Sequence, residues 1–233
     1  MKPICLIAAR KNSKGVPGKN TKLFLKKPLI AHAIISAIKS NDFQAVIVST
    51  DDKKIGEVAK RYGAKVPFIR PRNLSSDSSS MDEVILHAIR ELNTIGYEFD
   101  ILVNRDCTAP FVKNTDVRGS IQLLKKEKCD SVVAAYKTHL NPYFNMMEFN
   151  KKFLEFSKKV KQRVTSRQSA PIVYQLTSFQ TINVKQFLKN KKIYTSKVLP
   201  FEIKPENGLM IDTPYEFSIA ECLGKTVFKK MFS

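Results

Sequence analysis

The chain has 233 residues, of which 43% are hydrophobic and 26% charged, as in a globular protein with one large domain or a domain plus a modest insertion. No apolar run approaches the roughly 20 residues of a membrane-spanning helix, and the short apolar stretch before Arg10 favours a buried first strand over a signal peptide. The net charge of +19 comes from lysines spread along the chain without a basic tail, so a plain lysine surface or an anionic small substrate explains it better than nucleic acid.

Cysteines and histidines offer no obvious site of their own. The four cysteines form no CxxC pair and have no neighbouring histidine cluster, which predicts neither disulfides nor zinc and fits a reducing cytoplasm. Cys107 has no histidine partner, so we expect it to be a packing residue rather than a nucleophile. His32 and His87 fall within helical patterns and are expected to be packed or half-exposed, whereas His139 is left open.

Apolar patterns in the first two thirds of the chain alternate between strands and helices. Residues 3–9 form a continuous apolar run that predicts the first strand, and Leu29 to Lys39 has helical spacing. Asp51 or Asp52 is placed to cap the next helix, which Gly63 closes. The other predicted strands are 45–49, 66–69, 101–103, 131–135 and 198–203, and the other predicted helices are 53–62, 81–92, 115–126 and 215–223.

This order of strongly apolar strands and helices predicts an α/β fold with a mostly parallel sheet covered on both faces, of the Rossmann-like type. The alternation is lost after Lys137, so we predict an insertion at 138–180, with hairpins and an oligomer contact, in a main domain of 1–137 and 181–233. Ligands of such sheets bind at the carboxyl ends of the strands. That rule selects the loops 10–20, 50–53, 70–80 and 104–110.

The strongest motif is the loop that follows the first strand. It reads Ala-Ala-Arg-Lys-Asn-Ser-Lys-Gly-Val-Pro-Gly-Lys-Asn from Ala8 to Asn20. Glycines let the backbone approach a ligand, backbone N–H groups can form an anion nest, and the basic side chains can balance a triphosphate. Neither the P-loop pattern nor the dinucleotide fingerprint is present. Composition alone leaves a solvated basic turn as an equal alternative.

Five motifs in register resemble the CMP-sialic acid synthetases, the acylneuraminate cytidylyltransferase family. The loop matches the family pattern A-R-x-x-S-K-G-x-x-x-K-N at every fixed position. The resemblance continues through nearly the whole chain, with Arg70-Pro71 and Ser76 to Ser80, Thr108-Ala109-Pro110, Arg167-Gln168 with Val173-Tyr174, and Ile211-Asp212-Thr213-Pro214.

The resemblance implies an α/β nucleotidyltransferase domain, CTP as the nucleotide, Mg²⁺, and a homodimer built through a swapped insertion. It implies that an acidic sugar attacks the α-phosphorus of CTP, a reaction that depends on positioning and charge neutralisation. Carried over by position, the catalytic residues are Arg10, Lys14, Lys19 and Asp212. The nucleotide-binding residues are Ala8, Arg10, Asn12, Ser13, Gly15, Lys19, Asn20, Arg70, Ser79, Ser80 and Asp106. The candidate sugar contacts are Lys137, Arg167, Gln168 and Tyr174.

The carboxylates depart from the family pattern. The first Asp of its D-I-D-T-P motif is Met210 here, and a thioether is a poor Mg²⁺ ligand. Asp106 stands where sialate enzymes usually carry Gln, so we predict that Asp106 and Asp212 hold the metal together, as in the related Kdo cytidylyltransferases. The alternatives are an ion pair of Asp106 with Arg105 and a helix N-cap role for Asp212.

The sugar side departs as well. The family has Arg and then Asn-Gly after Val-Tyr, where this chain has Gln175 and Thr177-Ser178. This change leaves legionaminate, pseudaminate and other 3-deoxy-2-ulosonates open beside N-acetylneuraminate. Two further hypotheses remain: a cytidylyltransferase for Kdo or another acid, and a basic nucleic-acid-binding protein on a decayed transferase fold.

Overall fold

The structure is a computed structural model that describes residues 1–11 and 15–232, with a six-stranded sheet at its centre. Two short two-stranded hairpins stand outside this sheet. The central strands are β1 (Ile4–Ala8), β4 (Ala45–Ser49), β5 (Ile101–Arg105), β6 (Ser131–Lys137), β9 (Tyr174–Asn183) and β10 (Val198–Glu202). The hairpin strands are β2 (Leu23–Phe24) with β3 (Lys27–Pro28), and β7 (Met147–Asn150) with β8 (Phe153–Phe156).

The central strands lie in the order β10-β6-β9-β5-β1-β4. Strand β1 pairs in parallel with β4 and β5, and β10 pairs in parallel with β6. Strand β9 runs antiparallel between β5 and β6, so the sheet is mostly parallel, as predicted. The carboxyl ends of the other five strands therefore meet at one edge, together with the start of β9.

Helices cover both faces of the sheet. Helices α1, α2 and α4 pack on one face through a cluster that includes Ile34, Ala59 and Ile121, and α3 and α5 pack on the other face through Ile85 and Phe187. No described helix is both long enough and apolar enough to cross a membrane. The helices are α1 (Leu29–Ser40), α2 (Lys53–Arg61), α3 (Met81–Thr94), α4 (Asn114–Glu127), α5 (Val184–Asn190), α6 (Pro214–Lys225) and α7 (Lys229–Phe232).

Local chemistry explains where the helices begin and end. The Asp52 carboxylate accepts from two backbone N–H groups at the start of α2, and Gly63 follows that helix with a φ of 92°. Capping boxes begin α3 at Ser80 and α6 at Thr213.

A third apolar cluster, around Phe24, packs α6 and α7 beside the β2–β3 hairpin. His32 lies in it, buried, with its Nε2 2.7 Å from the Phe24 carbonyl oxygen, so the packed role predicted for this histidine is confirmed.

Two predictions about strands are corrected by the structure. Residues 66–69 form no strand, and only a single bridge joins Lys65 to Ile47, because Pro67 lacks the N–H that a ladder needs. Residues 174–180 were assigned to the insertion but form the first part of β9 in the central sheet. The segment outside the sheet is therefore 138–173. Its polar and aromatic residues obscured the strand, because β9 is exposed at Gln175 and Leu176.

Candidate active site

A cavity of about 310 Å³ opens at the carboxyl ends of β1 and β5, where the loop after β1 meets the segment before α6. Two of the predicted motifs line it, the loop that begins at Ala8 and the turn at Thr108, together with the carboxylate of the last motif. The sheet topology thus brings together residues that are far apart in sequence, as the strand-end rule requires. The lining residues are Ala8, Ala9, Arg10, Gly15, Lys19, Asn20, Cys107, Thr108 and Asp212.

A lysine and a carboxylate meet at the mouth of this cavity. Lys19 Nζ lies 2.7 Å from Asp212 Oδ1, with the lysine buried and the carboxylate largely exposed. Gly15 brings the loop against the same residue, because a Cβ at this position would overlap the Asp212 carbonyl oxygen. The helix-cap alternative for Asp212 is not what the structure has, since Thr213 caps α6. Asp212 is therefore free to serve the cavity.

Asp106 stands at the end of β5, partly buried, and its N–H donates to the Ser178 carbonyl oxygen at 2.8 Å. Burial, and next the negative charge of Asp212, raise the pKa of the Asp106 carboxyl to about 7, against the opposing effect of Lys19. The alternative ion pair with Arg105 is absent, because Arg105 lies buried on the opposite face and donates to Ser36 and Val112. Asp106 and Asp212 thus form an interacting pair of carboxylates.

This pair fits a magnesium ion that also contacts a nucleotide. Among residues 1–11 and 15–232, no group of three or more His, Cys, Asp and Glu side chains gathers as a closed metal site. Mg²⁺ is usually held by one or two carboxylates together with substrate phosphates, so two carboxylates at a cavity are a suitable donor set. A cation between them would also relieve the repulsion that raises the Asp106 pKa.

Asn20 braces the cavity from inside. Its Nδ2 donates to the Arg10 carbonyl oxygen at 3.0 Å, and its Oδ1 accepts from Cys107 Sγ at 3.1 Å. The side chain thus ties the loop after β1 to the end of β5. Burial raises the pKa of the Cys107 thiol to about 12, so Cys107 is the packing residue expected rather than a nucleophile.

Arg10 reaches from the cavity to the serine-rich loop that follows residue 70. Its guanidinium donates to the Ser76 carbonyl oxygen at 3.1 Å and lies 2.9 Å from the Asp77 carboxylate. Arg70 is buried behind this loop, where its Nε donates to Ser75 Oγ at 3.0 Å. A second, larger cavity of about 750 Å³ lies alongside and is lined by Lys11, Asp51, Asp52, Lys53, Lys54, Arg72, Ser75 and Ser76.

The two predicted serines serve the loop and the helix in this structure. Ser79 Oγ donates to the Asn73 carbonyl oxygen at 2.8 Å and accepts from the Ser76 N–H at 3.1 Å. Ser80 is the N-cap of α3, in a capping box with Glu83. A helix N-terminus beside a basic loop suits a phosphorylated ligand.

The candidate sugar contacts separate into two groups. Lys137 Nζ lies 3.2 Å from the Glu202 carboxylate, and the Tyr174 hydroxyl donates to the same residue at 3.3 Å. Lys137 and Glu202 are exposed and Tyr174 is partly buried, and all three sit on neighbouring strands at the edge of the sheet that carries the cavity. Arg167 and Gln168 lie in the exposed segment 157–173 and line none of the cavities described above.

Asn12, Ser13 and Lys14, which carry the centre of the basic loop, lie outside the described residues. Met210, in place of the family's first Asp, is partly buried and packs against the larger apolar cluster. Its side chain thus contributes to the core, which accounts for an apolar residue there.

Sequence reasoning missed two residues near the site. Glu202 holds the Lys137–Tyr174 pair but lies in a strand read only for its apolar pattern. Tyr194 follows α5, and burial, then the negative charges of Asp106 and Asp82, raise its pKa. No local motif marks either residue, because their neighbours at the site are distant in sequence.

The fold and the cavity define a nucleotidyltransferase of the α/β class, and comparisons with known proteins make this more specific. The Cytidylyltransferase family profile matches residues 4–230. The chain therefore belongs to the cytidylyltransferase family, and the resemblance seen in its motifs is confirmed.

Relatives and solved structures agree with this placement. The chain is 30% identical to a CMP-N,N'-diacetyllegionaminic acid synthase of Legionella pneumophila over 96% of both chains. It is also 30% identical to a pseudaminic acid cytidylyltransferase of Campylobacter jejuni over 100% of both chains. A CMP:2-keto-3-deoxy-manno-octonic acid synthetase complexed with CTP matches the structure with a TM-score of 0.74 at 16% identity, covering 97% of this chain and 100% of that chain, which supports the fold alone.

Proposed function

We propose that this protein transfers CMP from CTP to the anomeric hydroxyl of an acidic nine-carbon 2-keto sugar, of the sialic, legionaminic or pseudaminic acid type, and releases pyrophosphate. The observation that carries this proposal is the convergence of Arg10, Lys19 and Asp212 at one strand-end cavity, with the Asp106 carboxylate interacting with Asp212 and Lys19 beside it. The printed names of the full-length relatives supply the substrate class.

The basic side chains have a defined task in this reaction. The sugar hydroxyl forms a bond to the α-phosphorus while the bond from that phosphorus to the pyrophosphate oxygen breaks. Arg10 and Lys19 neutralise charge on the phosphates, and the backbone of the loop, held close by Gly15, adds N–H donors. Lys14 has the same predicted role.

The two carboxylates have a different task in the reaction. Asp106 and Asp212 would hold Mg²⁺, which would neutralise phosphate charge and make the attacking hydroxyl more acidic. Lys19 Nζ contacts one oxygen of the Asp212 carboxylate. We expect Lys19 to turn toward the triphosphate when the nucleotide and the metal arrive, because both then compete for the same charges.

We also propose that the protein acts as a homodimer through segment 138–173. The β7–β8 hairpin exposes large apolar side chains, with Phe149 79% and Phe153 72% accessible, together with Met147 and Leu154. Such a patch on one hairpin is typical of a protein contact, and a second copy is the partner that the family resemblance implies. Arg167 and Gln168, which line neither cavity at the strand ends, would then reach the acceptor site of the partner subunit.

The test is pyrophosphate release with CTP and Mg²⁺ against N-acetylneuraminate, legionaminate, pseudaminate and Kdo. ATP, GTP and UTP serve as nucleotide controls. We expect release with CTP and a nine-carbon acid. Release with Kdo alone would support the alternative acceptor, and an absence of both release and CTP binding would overturn the enzymatic proposal. The cytoplasmic location predicted from sequence stays a prediction.

A further inference from the structure

A pair of amide side chains interrupts an apolar face of the central sheet beside Asp106. Asn104 on β5 stands opposite Gln180 on β9, and Asn104 Nδ2 donates to Gln180 Oε1 at 2.7 Å. Because side chains alternate along a strand, Asn104 shares its face with Leu102 and Asp106. The preceding positions on this face, Leu102 and Ile182, belong to the apolar cluster under α3 and α5. The amide pair therefore marks the point where that core gives way to the site.

The pair is not explained by packing. Asn104 is 1% exposed, and its Oδ1 has no hydrogen-bond partner among the described residues. A buried polar atom without a partner is destabilising, and native proteins contain few of them. Exchanging the oxygen and the nitrogen of the amide would not remove the problem, since one of the two atoms is left over in either orientation. Two apolar residues would fill this space at lower cost to stability.

Gln180, unlike the buried Asn104, is partly exposed to solvent, and its role therefore differs. Its Oε1 is occupied by Asn104. The free end of Gln180 is then Nε2, with two N–H donors whose orientation Asn104 fixes. A fixed amide donor of this kind suits a ligand oxygen, such as a hydroxyl, a carboxylate or an acyl carbonyl.

The strand order places Gln180 on the side of β5 away from β1 and its loop. Asp106 lies two residues further along the same face, and its charge acts on Tyr194 in the segment after α5. The same segment is fixed to the start of α3, because the Ile193 N–H donates to Asp82 Oδ1 at 2.8 Å. Gln180 therefore stands across from Asn104, next to the position of Asp106 and away from the loop after β1. The basic loop, in contrast, follows β1, which pairs with the other edge of β5.

We propose that Gln180 donates a hydrogen bond to an oxygen substituent of the acidic sugar and that Asn104 is the positioning residue that holds the Gln180 amide in its donating orientation. This inference rests on the proposed function, because it assigns the two residues to the acceptor of that reaction. It explains why a polar pair is kept where apolar residues would stabilise the sheet.

The test uses Gln180→Met, Asn104→Leu and the double variant Asn104→Leu/Gln180→Leu, with steady-state kinetics for both substrates. We expect the KM for the sugar to rise about tenfold, the effect of one lost hydrogen bond, while the KM for CTP stays within about twofold. The double variant should be at least as heat-stable as the wild type. The exchanged pair Asn104→Gln/Gln180→Asn should recover part of the sugar affinity, which a merely structural role would not require.

Thr181→Val is the matched control. Thr181 is buried on the opposite face of β9, where its hydroxyl lies 2.6 Å from Ser120 Oγ, so the variant loses a buried hydrogen bond on the same strand. We expect lower stability with an unchanged KM for the sugar. An unchanged sugar KM in Gln180→Met, which keeps the side-chain volume, would overturn the inference alone. A wild-type protein that turns over no acid would overturn the proposed function, and this inference with it.

Discussion

The loop after β1 and segment 138–173 both lie next to the edge of the sheet where the strands end, yet they are held in different ways. The described part of the loop is tied down by Asn20, by the Lys19–Asp212 ion pair and by the close approach of Gly15 to Asp212. The insertion instead carries its large apolar side chains on the outside. The loop therefore holds its charged groups within one chain. The apolar side chains of segment 138–173, in contrast, are not covered by any described part of the chain.

This difference assigns separate tasks to the two regions. Phosphates and a metal would need fixed, partly desolvated charges, and the braced loop and the two strand-end carboxylates would provide them. Recognition of one acid sugar among several needs contacts that can change without disturbing the phosphate chemistry, and a segment outside the sheet allows that. Mutations in the two regions should therefore separate nucleotide chemistry from acceptor use.

The largest effect should come from the carboxylates. Asp106→Asn and Asp212→Asn are each expected to lower kcat by about 10³-fold, because each removes one charge that would hold the metal at the phosphates. Circular dichroism should show an unchanged fold. The control is Asp42→Asn, which breaks an exposed ion pair with Arg118 away from the cavity and should leave kcat unchanged. Near-normal rates in both site variants would show that the metal assignment is wrong.

The next effect tests how closely the loop must approach the carboxylate. Gly15→Ala should lower kcat/KM for CTP by about 10²-fold, because the added Cβ overlaps the Asp212 carbonyl oxygen and displaces the loop from the phosphates. Gly96→Ala is the control. Its φ is 87° with open space around the position, so the variant should lose stability without losing activity. Equal kinetics for the two variants would mean that the loop tolerates the shift.

The insertion provides the third test, at the level of assembly. The double variant Phe149→Asp/Phe153→Asp should lower the mass in solution from twice 26.5 kDa to the monomer value, because charge replaces the exposed apolar patch. We expect CTP binding to be retained and turnover of the sugar to fall by about tenfold or more. Sedimentation and calorimetry measure the two properties. Leu23→Asp, at an exposed apolar residue on another hairpin, should leave the dimer intact.

The same contrast explains what could be predicted from the sequence. Continuous apolar runs predict strands β1, β4 and β5, and helical spacing of apolar residues predicts the helices between them. The composition of the loop from Ala8 to Asn20 indicates a binding loop. Residues 174–180, the first part of β9, were assigned to the insertion because their mixture of polar and aromatic residues has no strand pattern. The sheet position of β9 depends on pairing with β5 and β6, which no local pattern records.

The site, like the fold, could be predicted from the sequence only in part. Asp106 and Asp212 were found because each lies in a motif, but their mutual repulsion follows only from the fold. The Asn104–Gln180 pair and Tyr194 carry no motif and escaped notice. The burial of Arg105 likewise could not be predicted, since a charged residue at a strand end is usually exposed.

The smallest effect concerns the pH dependence of stability. Because burial and Asp212 raise the pKa of Asp106 to about 7 in the folded protein, the folded state binds this proton more tightly than the unfolded chain does. Without divalent metal, stability should therefore fall as the pH rises from about 4 through 7, and it should level off above that range. Asp106→Asn removes the charge, so its free energy of unfolding should exceed that of the wild type by roughly 1–3 kcal/mol at pH 8 and by little at pH 4. Thermal denaturation at the two pH values measures this difference.

Added Mg²⁺ with CTP should close the gap at pH 8 in the wild type only, because bound cations favour the ionised carboxylate. A gap independent of pH would mean that Asp106 stays ionised, and its pairing with Asp212 would then need another explanation.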